Sequence, residues 1–119
     1  MPFLVCKTTS PITRAQEVEL KTRFGCAIAH VPGKSEQGLL IAFEDNARLW
    51  LAGDNGPAAY IEASVFANER HAGYDALSAE IAVAMRDVLG IPPERVYVRY
   101  ADIPAWSVAD MVADRRMFV

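Results

Sequence analysis

Along this chain, short β-prone runs alternate with stretches of helical spacing. Phe3, Leu4, Val5 and Cys6 lie in an apolar run that reaches Thr8, and Thr9-Ser10-Pro11 closes it because Pro11 pushes Ser10 away from helical geometry. Thr13 and Gln16 then have the spacing of a capping box. Leu20, Phe24, Ala27, Ile28 and Val31 follow at i, i+4, i+7, i+8 and i+11, which predicts a helix with one apolar face, stopped by Pro32-Gly33. Gly38 to Phe43 reads as a second strand and Ala47 to Ala52 as a third short piece. Gly53-Asp54-Asn55-Gly56-Pro57 is a dense turn signal. Ala58 to Phe66 is β-prone again, with Tyr60, Glu62 and Ser64 alternating against Ile61, Ala63 and Val65. Tyr74, Leu77, Ile81, Ala84, Met85 and Val88 give a second amphipathic helix that Gly90 and Pro92 end. Arg95 to Tyr100 alternates once more, with Arg95, Tyr97 and Arg99 on one side.

Each half therefore runs strand, amphipathic helix, Pro/Gly break, strand. Helical crossovers of this length imply parallel pairing within each half. The predicted fold is α/β (α+β), two β-α-β units forming a mixed four-stranded sheet with both helices on one face. Its other face is uncovered, and strands this apolar predict a homo-oligomer.

Composition narrows the function classes. The chain of 119 residues, 52% hydrophobic, suits one domain over 1–119. A formal net charge of -3 with no run of Lys or Arg gives nucleic acid no electrostatic footing. No basic-then-apolar leader and no long apolar run stand out, so the reading is a cytoplasmic protein without a membrane span. Cys6 and Cys26 fall in an apolar strand and an apolar helix face, read as buried thiols, and no His or Cys spacing suits a metal.

The candidate chemistry begins at Met1-Pro2. Met before Pro is a good substrate for methionine aminopeptidase, and its removal would leave Pro2 with a terminal secondary amine. An α-amino group ordinarily titrates near ~8, so burial or a nearby cation would poise it as a base at neutral pH. Lys34, directly after the helix-ending Gly33, is a candidate cation.

These features together resemble the tautomerase superfamily, in its branch holding macrophage migration inhibitory factor and D-dopachrome tautomerase. The resemblance rests on Met1-Pro2-Phe3-Leu4, Gly33-Lys34, Ser64-Val65, the run Pro93-Glu94-Arg95-Val96-Tyr97-Val98, and Tyr100, Asp102 and Trp106, which keep the family's order along nearly the whole chain. It implies a homotrimer with active sites at subunit interfaces and no metal or cofactor. It assigns Pro2 as catalytic base and Lys34 as the group that binds a substrate carboxylate. Ser64 and Val65 would hold substrate through the backbone, and Tyr97 would come from the neighbouring subunit. Arg99, facing the same way where relatives often carry Asn, adds a cation and implies acidic substrates. Trp106 matches a tryptophan at the pocket mouth, although Ala105-Trp106-Ser107-Val108-Ala109 departs from the usual ending.

The activity implied is keto-enol tautomerisation of phenylpyruvate- or dopachrome-type acids. The family also admits a cytokine-like factor that binds a protein receptor after non-classical secretion, and a hydratase or dehalogenase in which protonated Pro2 acts as acid. The inhibitory factor's Cys-x-x-Cys has no counterpart, because the strand reads Ala59-Tyr60-Ile61-Glu62-Ala63.

Overall fold

A computed structural model describes residues 1–118, excepting the side chain of Phe118. Six strands and two helices run in the order β1 (Pro2–Thr8), α1 (Arg14–Ala27), β2 (Leu40–Glu44), β3 (Ala59–Phe66), α2 (Tyr74–Leu89), β4 (Val96–Ile103), β5 (Ala105–Val108) and β6 (Met111–Asp114). The main sheet has the order β2-β1-β3-β4, with β1 parallel to β2, β3 parallel to β4, and β1 antiparallel to β3 at the centre. Two right-sized crossovers thus give the two expected β-α-β units.

Period 2 decides which side chains enter the core. Pro2, Leu4, Cys6 and Thr8 of β1 and Ala59, Ile61, Ala63 and Val65 of β3 are buried under the helices, while their alternates are half-buried. From above come Leu20, Phe24 and Ile28 of the α1 segment and Leu77, Ile81 and Met85 of α2, all with no exposed surface. Burying each such large side chain stabilises the fold by ~1.5–3 kcal/mol.

The helix ends follow the sequence signals. Thr13 accepts from the Gln16 backbone and the Gln16 side chain accepts from the Thr13 backbone, so the capping box forms. Gly90, with φ +69°, closes α2 in the left-handed conformation. Gly73 opens it at φ +82°, where a Cβ would collide with the carbonyl of His30. The loop feeding α2 is thereby fixed against the end of the first helix.

Four expectations need correction. Ala47 to Ala52 is not a strand: Leu51 and Asp54 exchange backbone hydrogen bonds across a tight turn, and Asn46 and Ala52 carry positive φ. The second strand starts at Leu40, because Glu36–Gly38 is a 3-10 turn. Cys26 is exposed, since it sits two residues, or about 200°, round the helix from inward-facing Phe24. Arg95 precedes β4 and binds the carbonyls of Asp54, Gly56 and Pro57, so it fastens the turn before β3.

The sheet face away from the helices is not uniformly apolar. Register sets three rows across it: Leu40-Phe3-Ser64-Ala101, then Ala42-Val5-Glu62-Arg99, then Glu44-Lys7-Tyr60-Tyr97. Lys7 Nζ lies 3.7 Å from Glu44 and 3.5 Å from Glu62, and Arg99 Nη1 lies 3.5 Å from Glu62. One end of the face is apolar, the other a ladder of alternating charge.

Candidate active site

Pro2 begins the central strand, opposite Val65, with Phe3 opposite Ser64. As the first residue of a strand it loses nothing through its missing N–H. It is buried, and it lines a cavity of about 250 Å³ with Met1, Phe3, Gly38, Leu40, Trp106, Ser107 and Val108. The wall is mostly apolar.

Two cations mark this end of the molecule. The terminal amine of Met1 is held below its ordinary value, chiefly by burial and then by the charge of Lys34. Lys34 is itself lowered by burial, and its Nζ stands 5.7 Å from the centre of the Phe66 ring, a loose cation–aromatic contact. Among the described residues no carboxylate lies within ion-pair distance of Lys34. A partly buried ammonium with no carboxylate partner, beside a partly buried amine, is a setting in which an arriving carboxylate would gain both charge and hydrogen bonds.

The aromatic wall is placed by the C-terminal segment. β5 and β6 form an antiparallel hairpin pairing Ala105 with Asp114 and Val108 with Met111. Trp106 Nε1 donates to Met1 Sδ at 3.1 Å. The base of the hairpin is moored by Arg115, whose Nη1 meets Asp102 at 2.6 Å, whose Nε meets Glu69 at 3.0 Å, and whose backbone N–H donates to the Pro104 carbonyl. The other Asp102 oxygen accepts from the Asn68 backbone at 2.8 Å. Sequence reasoning missed this hairpin and the Asp102–Arg115 mooring. The signal was available in the two short β-prone runs flanking Ala109-Asp110, where Ala109 adopts φ +56°.

The structure brings Pro2, Lys34, Ser64, Val65 and Trp106 to one end. Tyr97 and Arg99 are elsewhere: both are exposed and project from the open face, whereas Pro2 lies on the helix-covered side, in line with Val65 and Asp102. Within one chain the candidate set is thus split in two. Neither cysteine joins it, and burial pushes the Cys6 thiol up to about 12, so it is inert as a nucleophile. Among the described residues no His, Cys, Asp and Glu cluster could hold a metal ion, and no helix is long and apolar enough to cross a membrane.

A β2-β1-β3-β4 sheet backed by two helices, with a proline and an unpaired lysine at the start of the central strand, defines a class of small β-α-β/β-α-β proteins. The chain belongs to the macrophage migration inhibitory factor (MIF) family, whose family model matches residues 1–113. It is similar in structure to MIF2 of Leishmania major, with 25% identity, a TM-score of 0.88, and 95% of this chain and 97% of that chain covered. The migration inhibitory factor of Toxoplasma gondii shares 20% identity at a TM-score of 0.81, covering 93% and 99%. A protein designated Pt0534, whose structure is that of a form inactivated by 2-oxo-3-pentynoate, shares 17% identity at a TM-score of 0.80, covering 98% of each chain. A comparison with curated protein sequences found no match. The fold fits a homo-oligomer.

Proposed function

We propose that this protein is a cofactor-independent keto-enol tautomerase of the phenylpyruvate type, acting as a homotrimer, with Pro2 as general base once Met1 is removed. The observation that carries this reading is buried Pro2 lining an apolar cavity with Trp106, while partly buried Lys34, with no carboxylate partner among the described residues, acts on the adjoining terminal amine. Burial and a neighbouring cation both disfavour an ammonium there, which keeps the proline nitrogen neutral and able to accept a proton.

In the enol-to-keto direction, the Pro2 nitrogen takes the proton of the enol hydroxyl and the O–H bonding pair left on oxygen forms the carbonyl π bond. The double-bond pair moves to the neighbouring carbon, which receives a proton from the prolinium. Lys34 holds the carboxylate, and the backbone of Ser64 and Val65 bounds the substrate beside the proline. Trp106 and Leu40 line the space for an apolar tail. Tyr97 and Arg99, remote from Pro2 in their own chain, would border the Pro2 of an adjacent copy, with Tyr97 orienting the ring or oxygen.

The test pairs intact mass with a phenylpyruvate tautomerase assay on the wild type and Pro2→Gly. Loss of Met1, turnover by the wild type and at least a ~100-fold drop in the variant are the expected results. The acetylenic keto acid 2-oxo-3-pentynoate adds a second readout. A neutral proline nitrogen would add to its alkyne, giving a mass gain of one reagent that Pro2→Gly does not show. A processed wild type that neither turns over phenylpyruvate nor takes up the reagent would sink the reading.

A further inference from the structure

Arg99 looks from sequence like a second carboxylate receptor, but its charge is already spoken for. Its guanidinium Nη1 lies 3.5 Å from Glu62 Oε2 on the adjacent strand, and the other Glu62 oxygen lies 3.5 Å from Lys7 Nζ. Lys7 reaches on to Glu44 at 3.7 Å. Glu44, Lys7, Glu62 and Arg99 therefore make a ladder of alternating sign whose formal charges cancel. The parallel β3–β4 register sets Glu62 directly beside Arg99, and the antiparallel β1–β3 register places Lys7 one step along on the same face. Glu62 is the most shielded member of the Arg99 pair, its side chain 30% exposed against 61% for the arginine.

Lys34 differs: it has no carboxylate partner among the described residues, and burial weakens its hold on a proton. We propose that Glu62 is a specificity-determining residue that neutralises Arg99, so that the site accepts keto-enol acids with one carboxylate and an uncharged tail and disfavours dicarboxylates. This rests on the reading that Arg99 of one copy borders the Pro2 cavity of the next. A dicarboxylate bound through Lys34 would bring its second charge to a ladder with no net positive charge. A ring or alkyl tail would meet Phe3, Leu40 and Trp106 and lose nothing.

The test measures binding and turnover side by side on the wild type, Glu62→Gln, Arg99→Gln and the double variant. Binding of inert fumarate and benzoate is followed by calorimetry, and turnover with oxaloacetate and phenylpyruvate. Freed of Glu62, Arg99 should tighten fumarate binding and lower the KM for oxaloacetate by about tenfold, equivalent to ~1.4 kcal/mol. Benzoate and phenylpyruvate should shift by less than about twofold in Glu62→Gln, and the fumarate gain should vanish in the double variant. Equal shifts for the mono- and dicarboxylate, no gain with fumarate, or a gain that survives loss of Arg99 would each overturn the assignment. A fumarate gain in a protein that turns over neither keto acid would uphold the charge gate while sinking the tautomerase reading.

Discussion

At the scale of single residues, Lys34 is the position where burial and charge meet most directly. Replacing it with Met removes a charge-assisted contact worth ~1.5–3 kcal/mol, so the KM for phenylpyruvate should rise ~10–100-fold with kcat less affected. The same change acts on the amine. Burial is the larger cause of the Met1 amine's lowered affinity for protons, and the Lys34 charge lowers it further. The same charge would act on the Pro2 amine exposed once Met1 is removed, so removing it should let that amine keep its proton to higher pH. The acidic limb of the kcat/KM profile of Lys34→Met should accordingly move to higher pH. A limb that moves to lower pH, or not at all, would separate Lys34 from the base. Folding itself should respond to pH as well: the partly buried ammonium destabilises the native state below its lowered pKa, and the unfolded chain binds the more protons between that value and the ordinary lysine value. Wild-type stability should therefore gain from Lys34 as pH rises through that alkaline window.

At the scale of elements, the two helices are placed by their ends as much as by their apolar faces. α1 relies on the Thr13–Gln16 capping box, a local device readable from two letters. α2 has no side-chain cap at Gly73 and instead begins where that glycine presses on the His30 carbonyl. Ala at this position meets both a strained φ and a collision with backbone. Gly73→Ala should lower the unfolding free energy by about 2 kcal/mol or more, read from the urea midpoint at unchanged slope. β4 is tied to α2 by Tyr100, which stacks on Tyr74 at 3.9 Å between ring centres and whose hydroxyl lies 2.7 Å from Ser78 Oγ. That tie holds the strand from which Tyr97 and Arg99 project on the opposite face.

At the scale of the whole molecule, the candidate groups divide between two ends of one sheet, which a ring of copies arranged head to tail would reunite. Mixing subunits tests this without any structure of the assembly. Pro2→Gly and Tyr97→Ala chains, each inactive by itself, should recover about a quarter of the wild-type rate when unfolded and refolded together in equal amounts, because random assembly leaves that share of sites with both residues intact. Absence of recovery in an assembly shown by native mass spectrometry to be mixed would place both groups in one subunit. The open face also shapes expectation here. Its apolar end around Phe3 and Leu40 favours contact, whereas the Glu44-Lys7-Glu62-Arg99 end is already satisfied internally and is suited to remaining wet.

What the sequence alone determined is what depends on near neighbours along the chain. The periods of 2 and 3.6, the capping box, the glycine that ends α2 and the crossover lengths specified both β-α-β units, and the order of motifs from Met1-Pro2 to Trp106 identified the family. Tertiary structure decided whatever depends on residues far apart in sequence. Ala47 to Ala52 has strand-like composition but no strand beside it in the chain, so its backbone turns on itself at Leu51 and Asp54. The β5–β6 hairpin depends on Arg115 finding Asp102 and Glu69, and no local pattern announces an ion pair across 13 residues in one case and 46 in the other. Arg99 gives the clearest instance. Its charge was legible as a letter, but its neutralisation by Glu62, 37 residues earlier, exists only because parallel register sets the two side by side.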